Sequence, residues 1–242
     1  MSVLRDAAQT LRPPRGDRHG PLIPMMVALT VVTGLVDAAS YLKLGHVFVA
    51  NMTGNVVFLG FALAGASGLS TAASLVAIGS FLIGAFAGGW LGARSATHRG
   101  RVLRAASAAQ GPVMLVAVVV ALSTAEPLDR DVRYALIALL AFAMGIQNAS
   151  AQRIAVPDLT TTVLTRTLTG LASEATLAGG GGSKVGRRII AVGAMLLGAL
   201  VGGLLALEVS VAAALGVALG IVLAVGLIVQ VLSRHDAAWA RA

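Results

Sequence analysis

FVANMTGNVVFLG, residues 48–60, places two asparagines and a threonine within five positions, inside a run from 44 to 93 that holds no Asp, Glu, Lys or Arg. A charge-free run of that length reads as membrane-embedded. Polar and backbone groups facing lipid without partners are not tolerated there, so Asn51, Thr53 and Asn55 must be buried in protein or line a wet cavity. How this segment enters and leaves the bilayer decides the fold.

Composition supports the membrane setting. Of 242 residues, 57% are hydrophobic and 12% charged, against about 25% charged in soluble domains. Further charge-free windows at 105–125, 134–152, 189–207 and 209–233 each approach the ~20 residues that carry a helix across ~30 Å of hydrocarbon. Barrel strands would instead alternate over ~10 residues, so an all-α membrane protein is predicted. The net charge of +8 sits in the gaps between apolar runs, which fits positive-inside orientation rather than a nucleic-acid partner. With no cysteine and with His19, His46, His98 and His235 scattered, neither a metal site nor a cofactor is expected. No G-x-S-x-G, H-E-x-x-H or paired-carboxylate pattern supplies catalytic chemistry, so the chain does not read as an enzyme. AGGGGSKVGRR (178–188) lacks the G-K-[ST] order of a phosphate loop and reads as a flexible linker whose basic end favours anionic lipid.

Residues 1–22 are expected to form a basic cytoplasmic tail, with Pro13-Pro14 discouraging a continuous helix. A single transmembrane domain covers 23–232, and a second cytoplasmic tail covers 233–242.

The domain divides into two halves. IGSFLIGAFAGGWLGA (78–93) overlays VGAMLLGALVGGLLAL (192–207), with Gly79, Gly84, Gly88 and Gly89 on Gly193, Gly198, Gly202 and Gly203. TGLVDAAS (33–40) overlays MGIQNASA (144–151), placing Asp37 on Asn148, and one more residue of gap brings Thr53 onto Thr165. The halves, about 23–125 and 133–232, each hold a helix (23–43 or 133–151), a polar-tinged segment (48–66 or 159–178), a glycine-rich helix (73–93 or 188–207) and a plain apolar helix (111–125 or 209–232).

Counting Lys and Arg decides how many segments cross, because cytoplasmic loops hold the excess. Eight crossings give 11 inside and 6 outside, with the Arg94, Arg99, Arg101, Arg104 cluster outside. If both polar-tinged segments are re-entrant half-helices, the count becomes 15 against 3, with only Lys43, Arg130 and Arg133 outside. Six transmembrane helices and two re-entrant segments follow, three crossings per half. The odd number inverts the second half relative to the first, an arrangement of many transporters, whose sites lie where the repeats meet.

The pairing of VTGLVDAASYLKLGHVFVANMTGNVVFLG with MGIQNASAQRIAVPDLTTTVLTRTLTGLASE resembles the YoaK family, small bacterial inner-membrane proteins with about six predicted helices and no established activity. The likeness covers nearly the whole chain after residue 22. It implies an architecture and a location, inner (plasma) membrane and multi-pass, without a substrate. Family members often carry a glycine or an apolar residue where this chain has Arg166, so a direct role for Arg166 is not implied family-wide.

Candidate site residues follow from the polar segments. Asn51 and Asn55, spaced i, i+4, are expected to share a helix face, with Thr53 beside them and Gly54 admitting a neighbouring backbone. In the second half Asp158 is a candidate N-cap, and Thr162, Arg166 and Thr169, with Thr165 adjacent, form a polar stripe. Arg166 either favours an anion at a half-helix N-terminus or snorkels to the interface and pairs with Asp37, Asp158 or Glu174. Asp37 is the lone acid between Asp17 and Glu126, and its isolation makes it a candidate for proton coupling; its counterpart Asn148 is polar too. The expected partners are the lipid bilayer and an unknown small solute, an anion slightly preferred. Glycine-lined faces are compatible with a homodimer. A small-solute permease or channel is the leading reading, and a non-transporting scaffold or stress-related partner protein the alternative.

Overall fold

The computed structural model describes the chain except residues 1–2, 15, 96–97, 158, 160, 162–163, 174–183, 234–237 and 241–242. Among the described residues it is all-helical, without a strand. Six helices are long and apolar enough to cross a membrane: α2 (Leu22–Lys43), α4 (Thr71–Ala93), α5 (Arg99–Leu122), α6 (Arg130–Ile154), α8 (Val185–Glu208) and α9 (Val211–Leu232). Three are shorter: α1 (Val3–Leu11), α3 (Met52–Leu63) and α7 (Leu164–Ser173).

Five of the six long helices lie within about three residues of the ranges expected from hydropathy. The exception is α5, expected at 111–125, which starts at Arg99. Three arginines, Arg99, Arg101 and Arg104, therefore occupy its first two turns instead of a loop. The helix is nucleated by His98, whose Nδ1 accepts the Arg101 amide at 3.1 Å. Long arginine stems lie along apolar surface while their heads reach water, so charge alone misplaces such a boundary. In the N-terminal segment α1 stops two residues ahead of Pro13-Pro14 and lies along α8. There Asp6 Oδ2 accepts the Gly186 amide at 2.8 Å, supplying a carboxylate to the positive end of α8.

The innermost spans are α2 and α6. Helix α2 packs against α8 and α9, α6 packs against α4 and α5, and α5 meets α9. Exchanging α2 with α6, α4 with α8 and α5 with α9 leaves this scheme unchanged. The two principal crossings also match residue by residue. A Cβ on Gly88 of α4 would lie 2.8 Å from Ile146 Cα, and one on Gly202 of α8 would lie 2.7 Å from Leu35 Cα. Gly84 faces Phe142 as Gly198 faces Val31, and Gly145 faces Ala85 as Gly34 faces Ala199. The shift is a constant 111 residues between α2 and α6 and 114 between α4 and α8. Backbones meet this closely only where no side chain intervenes.

At the end where α2 stops, Lys43 pairs with Glu126 at 3.4 Å, and Glu126 Oε1 accepts the Val211 amide at 2.9 Å. This joins α2, the α5–α6 turn and the start of α9. Both α2 and α6 end in left-handed backbone, at Gly45 and His46 (φ 113 and 56) and at Ala155 (φ 52).

Candidate functional site

The chain from Phe48 to Asn51 is irregular, bending at Val49 and Ala50, so its amides need partners that no helix supplies. Asp37 of α2 provides three bonds: its Oδ1 accepts the Val49 and Ala50 amides, each at 2.8 Å, and its Oδ2 accepts Asn51 Nδ2 at 2.5 Å. Asn55 in the first turn of α3 closes a second loop, accepting the Phe48 amide on Oδ1 at 2.8 Å and donating from Nδ2 to the Phe48 carbonyl. Gly54 makes room for the same residue, since a Cβ there would lie 2.6 Å from the Phe48 ring. Phe48 in turn stacks on Tyr41 and Phe58, at 5.2 and 5.7 Å between centroids. Asp37, Gly54 and Asn55 therefore shape a backbone. The expected shared face of Asn51 and Asn55 is not formed, because Asn51 precedes the helix as its N-cap and turns toward Asp37.

With the loop held this way, Asn51 and Thr53 reach a cavity of about 720 Å³. Asn148 of α6 and Thr165 of α7 line the same space, so four sequence-derived candidates, two from each half, come together. The rest of the wall includes Phe81, Ala85 and Gly89 of α4, Gln152 and Arg153 of α6, and Met52 and Leu164 at the first positions of α3 and α7. Asn148 Nδ2 also donates to the Met144 carbonyl at 3.0 Å.

Other candidates lie elsewhere. Arg166 and Thr169 are on the exposed face of α7, and Thr167 and Gly170 form its buried face. Buried Arg188 of α8 reaches that face, donating from Nη1 to the Gly170 carbonyl at 2.6 Å. Arg166 and Thr169 thus face away from the bundle, because the close approach of α7 to α8 is made through Gly170. Thr162, Asp158 and Glu174 lie outside the described residues.

Several polar residues on the page were not singled out by sequence. Asn148, Ala149, Gln152 and Arg153 recur at i, i+1, i+4 and i+5, the spacing of one helix face, and this is the signal that would have added Gln152 and Arg153. A second polar cluster is buried away from the cavity. Gln110 Nε2 donates to Gln147 Oε1 at 3.0 Å, and Gln147 Nε2 donates to Thr33 Oγ1 at 3.1 Å and to the Leu29 carbonyl at 3.2 Å. All three side chains are buried and join α2, α5 and α6.

Beside the start of α2, outside the spans, Asp17 accepts the His19 and Gly20 amides at 2.7 and 3.0 Å. Partial burial works to raise its pKa, but these bonds outweigh it and hold the carboxyl below its ordinary range. His19 is pushed down, by burial first and then by Arg99, whose Nη1 lies 3.3 Å from its Nδ1.

Six apolar spans define a polytopic α-helical membrane protein, with a cavity between α4 and α6. The chain belongs to the YoaK family: residues 25–228 match the family model described as "Protein of unknown function (DUF1275)". It is similar to the UPF0700 transmembrane protein YoaK of Bacillus subtilis (strain 168), 32% identical over 152 residues, which is 62% of this chain. The match spans 65% of the length of that relative. No solved structure matches the chain.

Proposed function

We propose that the protein is a permease or channel for a small solute, in the inner (plasma) membrane of a bacterium with both termini cytoplasmic. In this reading it is an inverted repeat of three spans and one re-entrant segment per half. The observation that carries the proposal is the single cavity of about 720 Å³ lined by the starts of both polar segments, α3 and α7. That volume falls in the range of small-molecule sites. Support for the repeat comes from the matched glycine crossings, whose register is constant in both halves. Support for re-entry comes from length. At ~1.5 Å per residue, the 12 residues of α3 reach about 18 Å, well short of the ~30 Å of hydrocarbon.

A second reading, a scaffold that transports nothing, draws on the polar groups that serve packing alone. Asp37, Gly54 and Asn55 are spent on the 48–51 backbone, and the Gln110–Gln147–Thr33 chain is buried and bonded to itself. Solute flux in proteoliposomes separates the two. The permease reading expects flux above empty vesicles in the wild type and a reduced rate in both Asn51→Ala and Thr165→Ala. Flux no higher than empty vesicles across a broad panel of small solutes would overturn it in favour of the scaffold.

A further inference from the structure

We propose that the cavity between α4 and α6 is a site for an oxyanion, a carboxylate or phosphate group, with the Arg153 guanidinium as its counter-charge. The inference deepens the permease reading and rests on it for the use of the site, but the binding stands on its own chemistry.

The wall carries polar side chains from α3 and its N-cap, α6 and α7, and Arg153 is the one ionisable residue among them. Among the described residues the one ion pair is Lys43–Glu126, so no carboxylate there neutralises Arg153. The position of its charge is set by α4. A Cβ on Gly92 would lie 2.8 Å from Arg153 Cδ, and Nη1 makes a long bond of 3.4 Å to the Gly89 carbonyl. The two glycines form a shelf on which the stem lies, and this holds the guanidinium against the cavity wall. Of its five donors, one is engaged, at the long limit of a hydrogen bond. A planar fork of this kind binds carboxylate or phosphate oxygens in pairs. A cavity of about 720 Å³ would hold a bare halide loosely, whereas an oxyanion with an organic body reaches the amides opposite.

The far wall agrees in sign. Helices α3 and α7 both begin at the cavity, at Met52 and Leu164, presenting the positive ends of two helices. Asn51, the N-cap of α3, makes no side-chain cap bond, because its amide is committed to Asp37. Asp37 is not part of the lining, and its oxygens are turned to Val49, Ala50 and Asn51. The α4–α6 crossing does not itself need a cation. At the equivalent place in the α2–α8 crossing stands Leu42, 111 residues earlier, which would lie 3.5 Å from a Cβ on Gly203.

The bland alternative is that Arg153 only marks the cytoplasmic end of α6. The test uses the full chain purified in neutral detergent, with binding of sodium acetate and sodium phosphate followed by calorimetry against sodium chloride of equal ionic strength. Binding is expected in the wild type, weaker by about tenfold or more in Arg153→Gln and by a smaller factor in Arg153→Lys, which keeps the charge but loses the fork. Arg104→Gln, an exposed arginine on α5, controls for net charge and should bind as the wild type does. The Lys variant keeps the test open if the Gln variant fails to fold. Absence of binding to either salt, or equal affinity in Arg153→Gln and Arg104→Gln, overturns the proposal. A parallel titration with phosphatidylglycerol in nanodiscs distinguishes the source of the oxyanion. Arg153-dependent binding of that lipid alone supports the site as a headgroup site and removes the solute reading. Arg153-dependent binding of the free anions without flux in proteoliposomes supports the site and defeats the permease.

Discussion

Alanine at the crossing glycines tests whether the bundle is held by two equivalent backbone contacts. Gly88→Ala would put a methyl carbon 2.8 Å from Ile146 Cα, and Gly202→Ala one 2.7 Å from Leu35 Cα. Carbon atoms prefer about 3.5–4.0 Å, so each crossing must open by roughly 0.7–1.3 Å along a line of rigid backbone. Overpacking of this kind costs about 1–3 kcal/mol. Replacing glycine with alanine in a helix also brings back about 1 kcal/mol of propensity. That gain is shared with Gly79→Ala and Gly193→Ala, where a Cβ meets nothing within 4 Å. It cancels in the difference, which leaves each crossing variant about 1–3 kcal/mol below its own control. At ~2–4 °C per kcal/mol for a chain of this size, the gap in thermal midpoint is about 2–12 °C. Fluorescence-detected size-exclusion chromatography after a heating series, in one detergent, reads it directly. Equal midpoints for Gly88→Ala and Gly79→Ala would refute the close crossing. A loss at Gly88 without one at Gly202 would refute the equivalence of the halves.

Three further outcomes follow from single sites. Asp37→Asn keeps the acceptor for the Val49 and Ala50 amides but weakens charge-assisted bonds, so the protein should lose about 1–3 kcal/mol and show lower solute flux; proton coupling through Asp37 is rejected if the pH dependence of that flux is unchanged. Gln147→Leu strands buried donors of Gln110 at a cost of about 1–3 kcal/mol, and adding Gln110→Leu should restore part of the loss in a double-mutant cycle of thermal midpoints. Folding keeps the His19 ring below its ordinary value of 6.5, by burial and by Arg99. The unfolded chain therefore takes the proton first, and stability falls as pH drops below about 6.5. A midpoint lower at pH 5.5 than at 7.5, with the difference reduced in His19→Gln, is the expected reading.

Much of the bundle was legible because membrane spans are set by a single dominant variable, hydrocarbon length, and charge marks their limits. That is also why α5 was cut short. Its first turns carry Arg99, Arg101 and Arg104, and the chain continues as helix through them because His98 caps it, Arg99 is buried beside His19, and Arg101 and Arg104 are exposed. The glycine register was legible for a different reason: a backbone contact tolerates one residue type, so its record survives as identity. The site was half legible. Asn51, Thr53, Asn148 and Thr165 meet at the cavity, but side-chain direction at Asn51 depended on where α3 begins, one residue later. The outward turn of Arg166 depended on Arg188 and Gly170, which are far apart in sequence and adjacent in space. Asp37 read as a functional acid because isolation in an apolar run carries no information about the loop that folds back onto it.

The two crossings share a backbone geometry and differ in what is built on it, and the differences fall together. At the α2 crossing Asp37 and Tyr41 are spent inward, on the 49–51 amides and on Phe48 and Phe58, while Leu42 lies near Gly203 with its outer side exposed. At the α6 crossing the same three places carry Asn148, Gln152 and Arg153, and all three line the cavity. The close approach of backbones is made by glycines at matched positions in both crossings. Side chains at the paired positions are then free to diverge, one set filling space and the other leaving it open and polar. The opening therefore reflects residue choice on α6 and not the crossing itself, which places the selectivity of any bound solute on Asn148, Gln152 and Arg153 ahead of the asparagines of the first polar segment.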